Sequence, residues 1–294
     1  VSHAEQGIGL MPETDQLIVY EPDQRVRMGL LSCWGAMVVN VVRSRELIWQ
    51  LFKRDFLAGS KQSMLGFLWV LISPLVGIVS WVLMNYAGVL HPGDTEAPYP
   101  LYVLFGTTIW GMFMGSYSAA AASLTSGGSL ILQAKFSHEG LVAQQMAQMV
   151  IAVVANLVLL TLVLLGFGVL PHWAAICFPL SLIPLLMLGT GIGMFVSVLA
   201  VVVRDVTKTV GAVLGLLMFL TPVIYAPGIQ SEWLQRLIWW NPLTYLVGGA
   251  RDLVLHGRID HPSGYAGSVF LAVVMFLLSW RLFFLSEQKV AEKF

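Results

Sequence analysis

The chain is poor in charge. Its 294 residues include 16 Lys or Arg and 16 Asp or Glu, so charged side chains make up 11%, where a soluble domain carries about 25%. Sixteen of each sign are too few to coat a soluble fold whose residues are 57% hydrophobic, and the mean hydropathy is +0.79. The signs cancel, so no basic excess points to nucleic acid and no acidic tail is present. Cysteine is almost missing: Cys33 lies in the polar N-terminal region and Cys177 in an apolar run, which argues against a disulfide framework and a thiolate metal site. There is no G-x-x-x-x-G-K-[ST] loop to cradle ATP and no H-E-x-x-H. The six histidines (His3, His91, His138, His172, His256 and His261) are scattered through loops and run ends and read as solvated. No catalytic or metal site is expected. Residues 1–30 lack an apolar core behind a basic start, so no signal peptide is read. What remains is an integral membrane protein.

A helix needs about 20 apolar residues to cross the hydrocarbon layer. Six runs qualify: Met64–Leu90, Leu101–Ser123, Leu141–Leu170, Trp173–Val203, Val210–Tyr225 with a few residues beyond, and Tyr265–Trp280 with its flanks. None contains Asp, Glu, Lys or Arg. The third and fourth are separated by Pro171 and His172 alone and predict a tight helical hairpin. With both termini on one side, thirteen of the sixteen basic residues fall on that side and only Arg236, Arg251 and Arg258 on the other; the termini are expected to be cytoplasmic. Ion-coupled carriers need ionisable groups at membrane depth, and phosphate-ester chemistry needs clustered Asp, His or Arg. Both are disfavoured, so a transporter built this way draws its energy from another subunit.

Leu47, Ile48, Leu51, Phe52 and Phe56 form one stripe at helical spacing, with Arg45, Glu46, Lys53 and Asp55 mostly off it. This predicts an amphipathic helix over 44–63, lying in the cytoplasmic interface or packed on a partner. Between Ala226 and Gly264, Pro227 and Pro242 divide an aromatic-rich stretch into two short outer half-helices. The expected fold is therefore an all-α integral membrane protein. It has six transmembrane helices, an N-terminal amphipathic interface helix and two outer half-helices before the last span. Its segments are a polar cytoplasmic stretch at 1–43, the amphipathic helix at 44–63 and a six-span domain at 64–294.

Trp110, Phe113 and Tyr117 share one helix face. Such a face suits stacking on sugar rings, and it equally suits helix packing or an interface belt. Gly111/Gly115, Gly189/Gly193 and Gly211/Gly215 permit close helix approach, within the chain or between chains. The inner loop Ser129–Gly140 ends in a charged tip with Phe136 and is longer than a turn requires, which fits a short helix docking on a partner.

Several ordered motifs resemble the permease subunits of ABC exporters for polysaccharides, over roughly residues 43–294. They are Arg45-Glu46-Leu47-Ile48 with Lys53-Arg54-Asp55; Leu65-Gly66-Phe67-Leu68-Trp69 with Pro74; Gly106 and Trp110; and Leu130-Ile131 with Lys135-Phe136. Further along come Arg204-Asp205-Val206, Thr221-Pro222-Val223-Ile224-Tyr225, and Asn241-Pro242-Leu243-Thr244-Tyr245 with Arg251. The chain departs from the family pattern at Gly59-Ser60, where an Arg-Tyr pair is common, and at Phe136-Ser137, where Phe-Pro is common.

The resemblance implies a homodimer in the bacterial inner membrane, paired with two copies of a cytoplasmic ATPase that binds ATP and Mg, no cofactor being held in this chain. The cargo it implies is a lipid-linked polysaccharide, O-antigen in type, with capsular polysaccharide, teichoic acid, or a drug or lipid as alternatives. It further implies a gate helix carrying Arg45, Glu46, Lys53, Arg54 and Asp55. ATPase coupling falls to Lys135, Phe136, Ser137, His138 and Glu139. A translocation pathway is lined by Trp69, Trp81, Trp110, Phe113, Tyr117 and Tyr225.

Overall fold

The computed structural model describes residues 30–61, 68–95, 97–126, 138–203, 205–228 and 231–291. The expected lead-in motif at 65–67, Arg204, and the tip Lys135, Phe136 and Ser137 lie outside the described residues. Of His138 and Glu139 only the backbone is described, in the first turn of a helix.

Among the described residues the regular structure is all helical. The helices are α1 (Leu30–Arg43), α2 (Arg45–Lys61), α3 (Leu68–Tyr86), α4 (Tyr99–Ser126), α5 (His138–Gly166), α6 (Phe178–Ala200), α7 (Asp205–Leu217), α8 (Glu232–Trp240), α9 (Pro242–Leu255) and α10 (Pro262–Ala291). Tight helical turns Trp173–Cys177 and Met218–Leu220 precede α6 and follow α7. Among the described residues, four segments are long and apolar enough to cross a membrane: Leu68–Tyr86, Val142–Gly166, Trp173–Ala200 and Pro262–Ser286. α4 has 28 residues, about 42 Å at 1.5 Å per residue, but its Gly, Ser and Thr residues dilute its hydropathy.

The expected fifth span is shorter than its apolar run. α7 ends at Leu217, the tight turn ends at Leu220, and Thr221 is extended (φ −115°, ψ 134°). Pro222 is the reason: its ring disfavours a helical residue before it and removes a backbone donor. The two short helices expected between Ala226 and Gly264 form as α8 and α9. Asn241 starts α9 by accepting a hydrogen bond from the Leu243 N–H (3.0 Å), with Pro242 in the first turn.

The bundle is built around α6, whose apolar window is 56% buried, against 6% for α3. α4 and α10 pack most extensively on α6, and α5 packs on the other side of α4. The expected hairpin of α5 on α6 is corrected in one respect: adjacent in sequence, they meet chiefly through α4. Glycine explains the close packing. A Cβ on Gly189 would meet the Ser116 hydroxyl and the Phe113 carbonyl of α4, and one on Gly193 would meet the Tyr117 carbonyl. Gly191, on the opposite side of α6, faces the α10 backbone at Phe276, 3.0 Å from where a Cβ would stand. The Gly189/Gly193 pair therefore serves packing within the chain, while Gly111 and Gly215 face open space.

The polar stretch expected at 1–43 contains α1. Its Met37 is fully buried against Phe284 of α10, with Trp34 alongside. Leu30, Trp34, Met37 and Val41 stand at helical spacing, a signal present in the sequence. α2 follows across Ser44 and packs on α5, with Leu51 buried.

At Gly106, a Cβ would overlap the Val223 carbonyl oxygen. Gly106→Ala is expected to destabilise the protein by about 1–3 kcal/mol, because the obstacle is backbone. Gly215→Ala, in open space on α7, is expected to gain about 0.5–1 kcal/mol. Thermal unfolding of the two variants in detergent should move in opposite directions.

Candidate translocation groove and the outer clamp

α3 carries Trp69, Ser73, Gly77 and Trp81 four residues apart, so they lie along one side of the helix. Large residues at the ends and small ones between make a recess. Thr107, Thr108 and Gly111 of α4, Asn156 of α5 and Met218 close it into a groove of about 550 Å³, inside the about 300–1,000 Å³ of small-molecule sites. Among the described residues that line it, none is charged. Thr107 spends its hydroxyl on the Val103 carbonyl (2.7 Å). The Thr108 hydroxyl and the Asn156 amide oxygen are buried without a partner. Each such group costs about 1–3 kcal/mol, and both belong to residues that line the groove. The sequence named Trp69 and Trp81, which stand on this groove, and did not single out Thr108 or Asn156. The four-residue spacing on α3 and a lone Asn in an apolar run were the available signals.

The remaining aromatic expectations are redistributed. Trp69 is half exposed and Trp81 partly exposed, and both line the groove. Trp110, Phe113 and Tyr117 do not: they are buried in the core, at 5%, 0% and 2% exposure. The i, i+3, i+7 face of α4 turns toward α6 and α7 because it is the bulkiest apolar face the helix has. Trp110 packs on Phe113 (5.3 Å between ring centres), and the Tyr117 hydroxyl donates to the Thr207 carbonyl of α7 (2.7 Å). Tyr225 stands one contact away from the groove. Its hydroxyl donates to the Phe219 carbonyl (2.8 Å), and the Phe219 ring meets Trp81 edge-on at 6.3 Å.

Above the groove, the chain between Leu220 and Tyr225 is broken helix, and its carbonyls need donors. Tyr102 donates to the Tyr225 carbonyl (2.9 Å) and Asn241 to the Thr221 hydroxyl (2.9 Å). Arg251 Nη1 donates to the Pro222 carbonyl (3.3 Å), and its guanidinium lies 4.1 Å from the Tyr102 ring centre. Arg251 is 5% exposed. Its burial is thus supported by a ring face and a backbone carbonyl. The Ala226 N–H donates to the Pro92 carbonyl (2.7 Å), tying the loop after α3 to the same segment.

Beside this clamp, Asp94, Trp239, Tyr245 and His261 line a cavity of about 110 Å³. No metal site was expected, yet Asp252, His256 and Asp260 bring ligand atoms within 4.8 Å of one another. His256 Nδ1 lies 3.2 Å and Arg258 Nε 3.3 Å from the two Asp260 oxygens, so the cluster answers much of its own charge.

On α2, Arg45, Glu46, Lys53 and Arg54 are exposed. Asp55 points to α5, where its Oδ2 accepts from Gln144 (2.9 Å) and Gln148 (3.4 Å). Trp49, Phe52 and Phe56 stack in a row along the helix, with Trp49 and Phe56 exposed.

A profile of the ABC-2 type transporter family matches residues 46–255. The chain belongs to this family. It is similar to an O-antigen export system permease protein RfbA of Myxococcus xanthus, 23% identical over 258 residues that cover 87% of this chain and 98% of the relative. It is also similar to a protein of the same name from Klebsiella pneumoniae, 22% identical over 218 residues that cover 74% and 83%. This ABC-2 type chain is a multi-pass membrane protein, and the matched region contains both the groove and the clamp.

The clamp makes ordered predictions. Tyr102→Phe leaves the Tyr225 carbonyl unpaired and is expected to cost about 1–2 kcal/mol. Arg251→Met removes both the donor to Pro222 and the ring contact and is expected to cost more, about 2–3 kcal/mol. Chymotrypsin cleavage after Tyr225 should accelerate in the same order.

Proposed function

We propose that this chain is the transmembrane subunit of an ATP-driven exporter that carries a lipid-linked polysaccharide of O-antigen type across the bacterial cytoplasmic membrane. One observation carries the reading: a groove in the apolar bundle with no charge among its described lining residues, tryptophan at both ends, and the unpartnered polar groups of Thr108 and Asn156 between. Sugars present apolar ring faces and hydroxyl edges, and this wall offers a partner for each. Family membership and the names of the similar proteins support export. In this reading α3, α4, α5, α6, α7 with its tight turn, and α10 are the six spans, and both termini are cytoplasmic. α2 lies at the inner interface, with α8 and α9 at the outer one. A second copy completes the pathway. Two cytoplasmic ATPase subunits bind ATP and Mg and act on residues 129–139.

Roles follow from position. Trp69 and Trp81 offer faces over which a glycan slides. Thr108 and Asn156 exchange hydrogen bonds with its hydroxyls. Without a charge in the groove no site binds strongly enough to stall a long chain. Trp110, Phe113 and Tyr117 hold α4 against its neighbours.

The test is export in cells that depend on this chain. Trp69→Ala with Trp81→Ala is expected to lower surface glycan about tenfold or more at unchanged permease levels, with lipid-linked glycan accumulating inside. Trp110→Ala is expected instead to lower the amount of folded permease, a core truncation costing about 3–5 kcal/mol. Normal export by the double variant would refute the groove as the path. Coupling is tested separately: Phe136→Ala, or Lys135→Glu with Glu139→Lys, should leave ATP hydrolysis by the complex running while export falls. Unchanged coupling would place ATPase docking elsewhere.

A further inference from the structure

α2 is held to the bundle chiefly through α5. Leu51 of α2 is buried, at 8% exposure. The polar part of the contact is Asp55. One of its oxygens accepts from Arg54 Nε at 2.8 Å; the other accepts from the Gln144 and Gln148 amides at 2.9 and 3.4 Å. Gln144 and Gln148 are one turn apart and so share a face of α5. Gln144 is 4% exposed. Neutral amides lack the long reach of a charge, and they hold a carboxylate only at hydrogen-bond geometry. The contact is therefore directional, and salt loosens it less than it would loosen an exposed ion pair.

Its place in the chain gives it a use. Gln144 and Gln148 stand in the first three turns of α5, which begins at His138, directly after the loop read as the ATPase-docking segment. We propose that Asp55, Gln144 and Gln148 form a latch that passes displacement of the inner end of α5 to α2, so that the docking segment and the amphipathic helix move as one body. Asp55 is a positioning residue in this scheme. The proposal rests on the reading of residues 129–139 as the coupling segment, and it names how that segment reaches α2.

The experiment is a spin-label distance measurement on the full chain with its partner ATPase in lipid nanodiscs. Labels go on Gln50→Cys in α2 and Val150→Cys in α5, both exposed positions. Cys33 and Cys177 are replaced by Ser, and labelled chains are diluted with unlabelled ones. The latched protein should give one narrow distance, the same in nucleotide-free and vanadate-trapped states. Asp55→Leu should broaden it and make it differ between the two states; Gln144→Leu with Gln148→Leu should do the same. The three substitutions together should do no more than Asp55→Leu alone. Asp55→Asn keeps an oxygen that both amides can reach and should restore the narrow distance.

A distance that changes with nucleotide in the unsubstituted chain overturns the latch. So does an Asp55→Leu distance that matches the parent, or one whose disturbance adds to that of the glutamine changes. In export assays Asp55→Leu should keep ATP hydrolysis and lose about tenfold in glycan export, with Asp55→Asn near the parent; a parallel fall in both activities would mark mere misfolding and overturn the latch. Should the parent export no glycan, the cargo reading falls, while the distances still decide the latch.

Discussion

A broken helix inside an apolar bundle is tenable only if its carbonyls find donors, and Arg251 and Tyr102 supply them. The Pro222 carbonyl accepts from Arg251, the Tyr225 carbonyl accepts from Tyr102, and the guanidinium rests on the Tyr102 ring. A buried guanidinium is costly by itself, and so is an unpaired carbonyl. Together each offsets part of the other's cost, while the Arg251 Nε–H stays buried without a partner. Gly106 lets the segment come close enough for this to happen, since any side chain there would strike the Val223 carbonyl. The end of α7, the start of α4, and α9 are all joined at this point. Through Phe219 the same segment sets the outer wall beside Trp81.

α4 faces two ways. One side carries Trp110, Phe113 and Tyr117 into the core. The other presents Thr107, Thr108 and Gly111 to the groove. Bulk goes where it has backbone to pack on, and small polar residues remain where space is kept. An aromatic stripe in a membrane protein is thus a sign of the packed side as readily as of the working side.

That ambiguity limited what could be read in advance. Composition and run length located α3, α5, α6 and α10, because an uninterrupted apolar run needs no partner to be recognised. Pro227 and Pro242 located the two outer half-helices, because proline acts locally. The end of α7 was misplaced: apolar residues continue past Pro222, and hydropathy does not register a missing backbone donor. α1 was missed because its apolar positions are mixed with Ser, Asn and Gly. The wedging of α4 between α5 and α6 depends on contacts between distant residues, which run length does not encode. Among site residues, Trp69 and Trp81 were named in advance and stand on the groove. Asn156 and Thr108 were not, because their importance lies in having no partner, a property that exists only once the chain is folded.

The three glycines of α6 have a mechanical consequence. Gly189 and Gly193 bring its backbone against α4, and Gly191 brings it against α10, on opposite sides. Backbone pressed on backbone leaves no side chain to change rotamer, so those three helices form a chassis with no slack. α2, α3 and α7 lie outside this frame: α2 is tied to α5 through Asp55, the Trp81 ring of α3 meets Phe219, and α7 accepts a hydrogen bond from Tyr117. In the proposed exporter, motion falls to the helices outside this frame. Replacing a glycine of the frame would stop it by jamming the mounting, with every working surface intact.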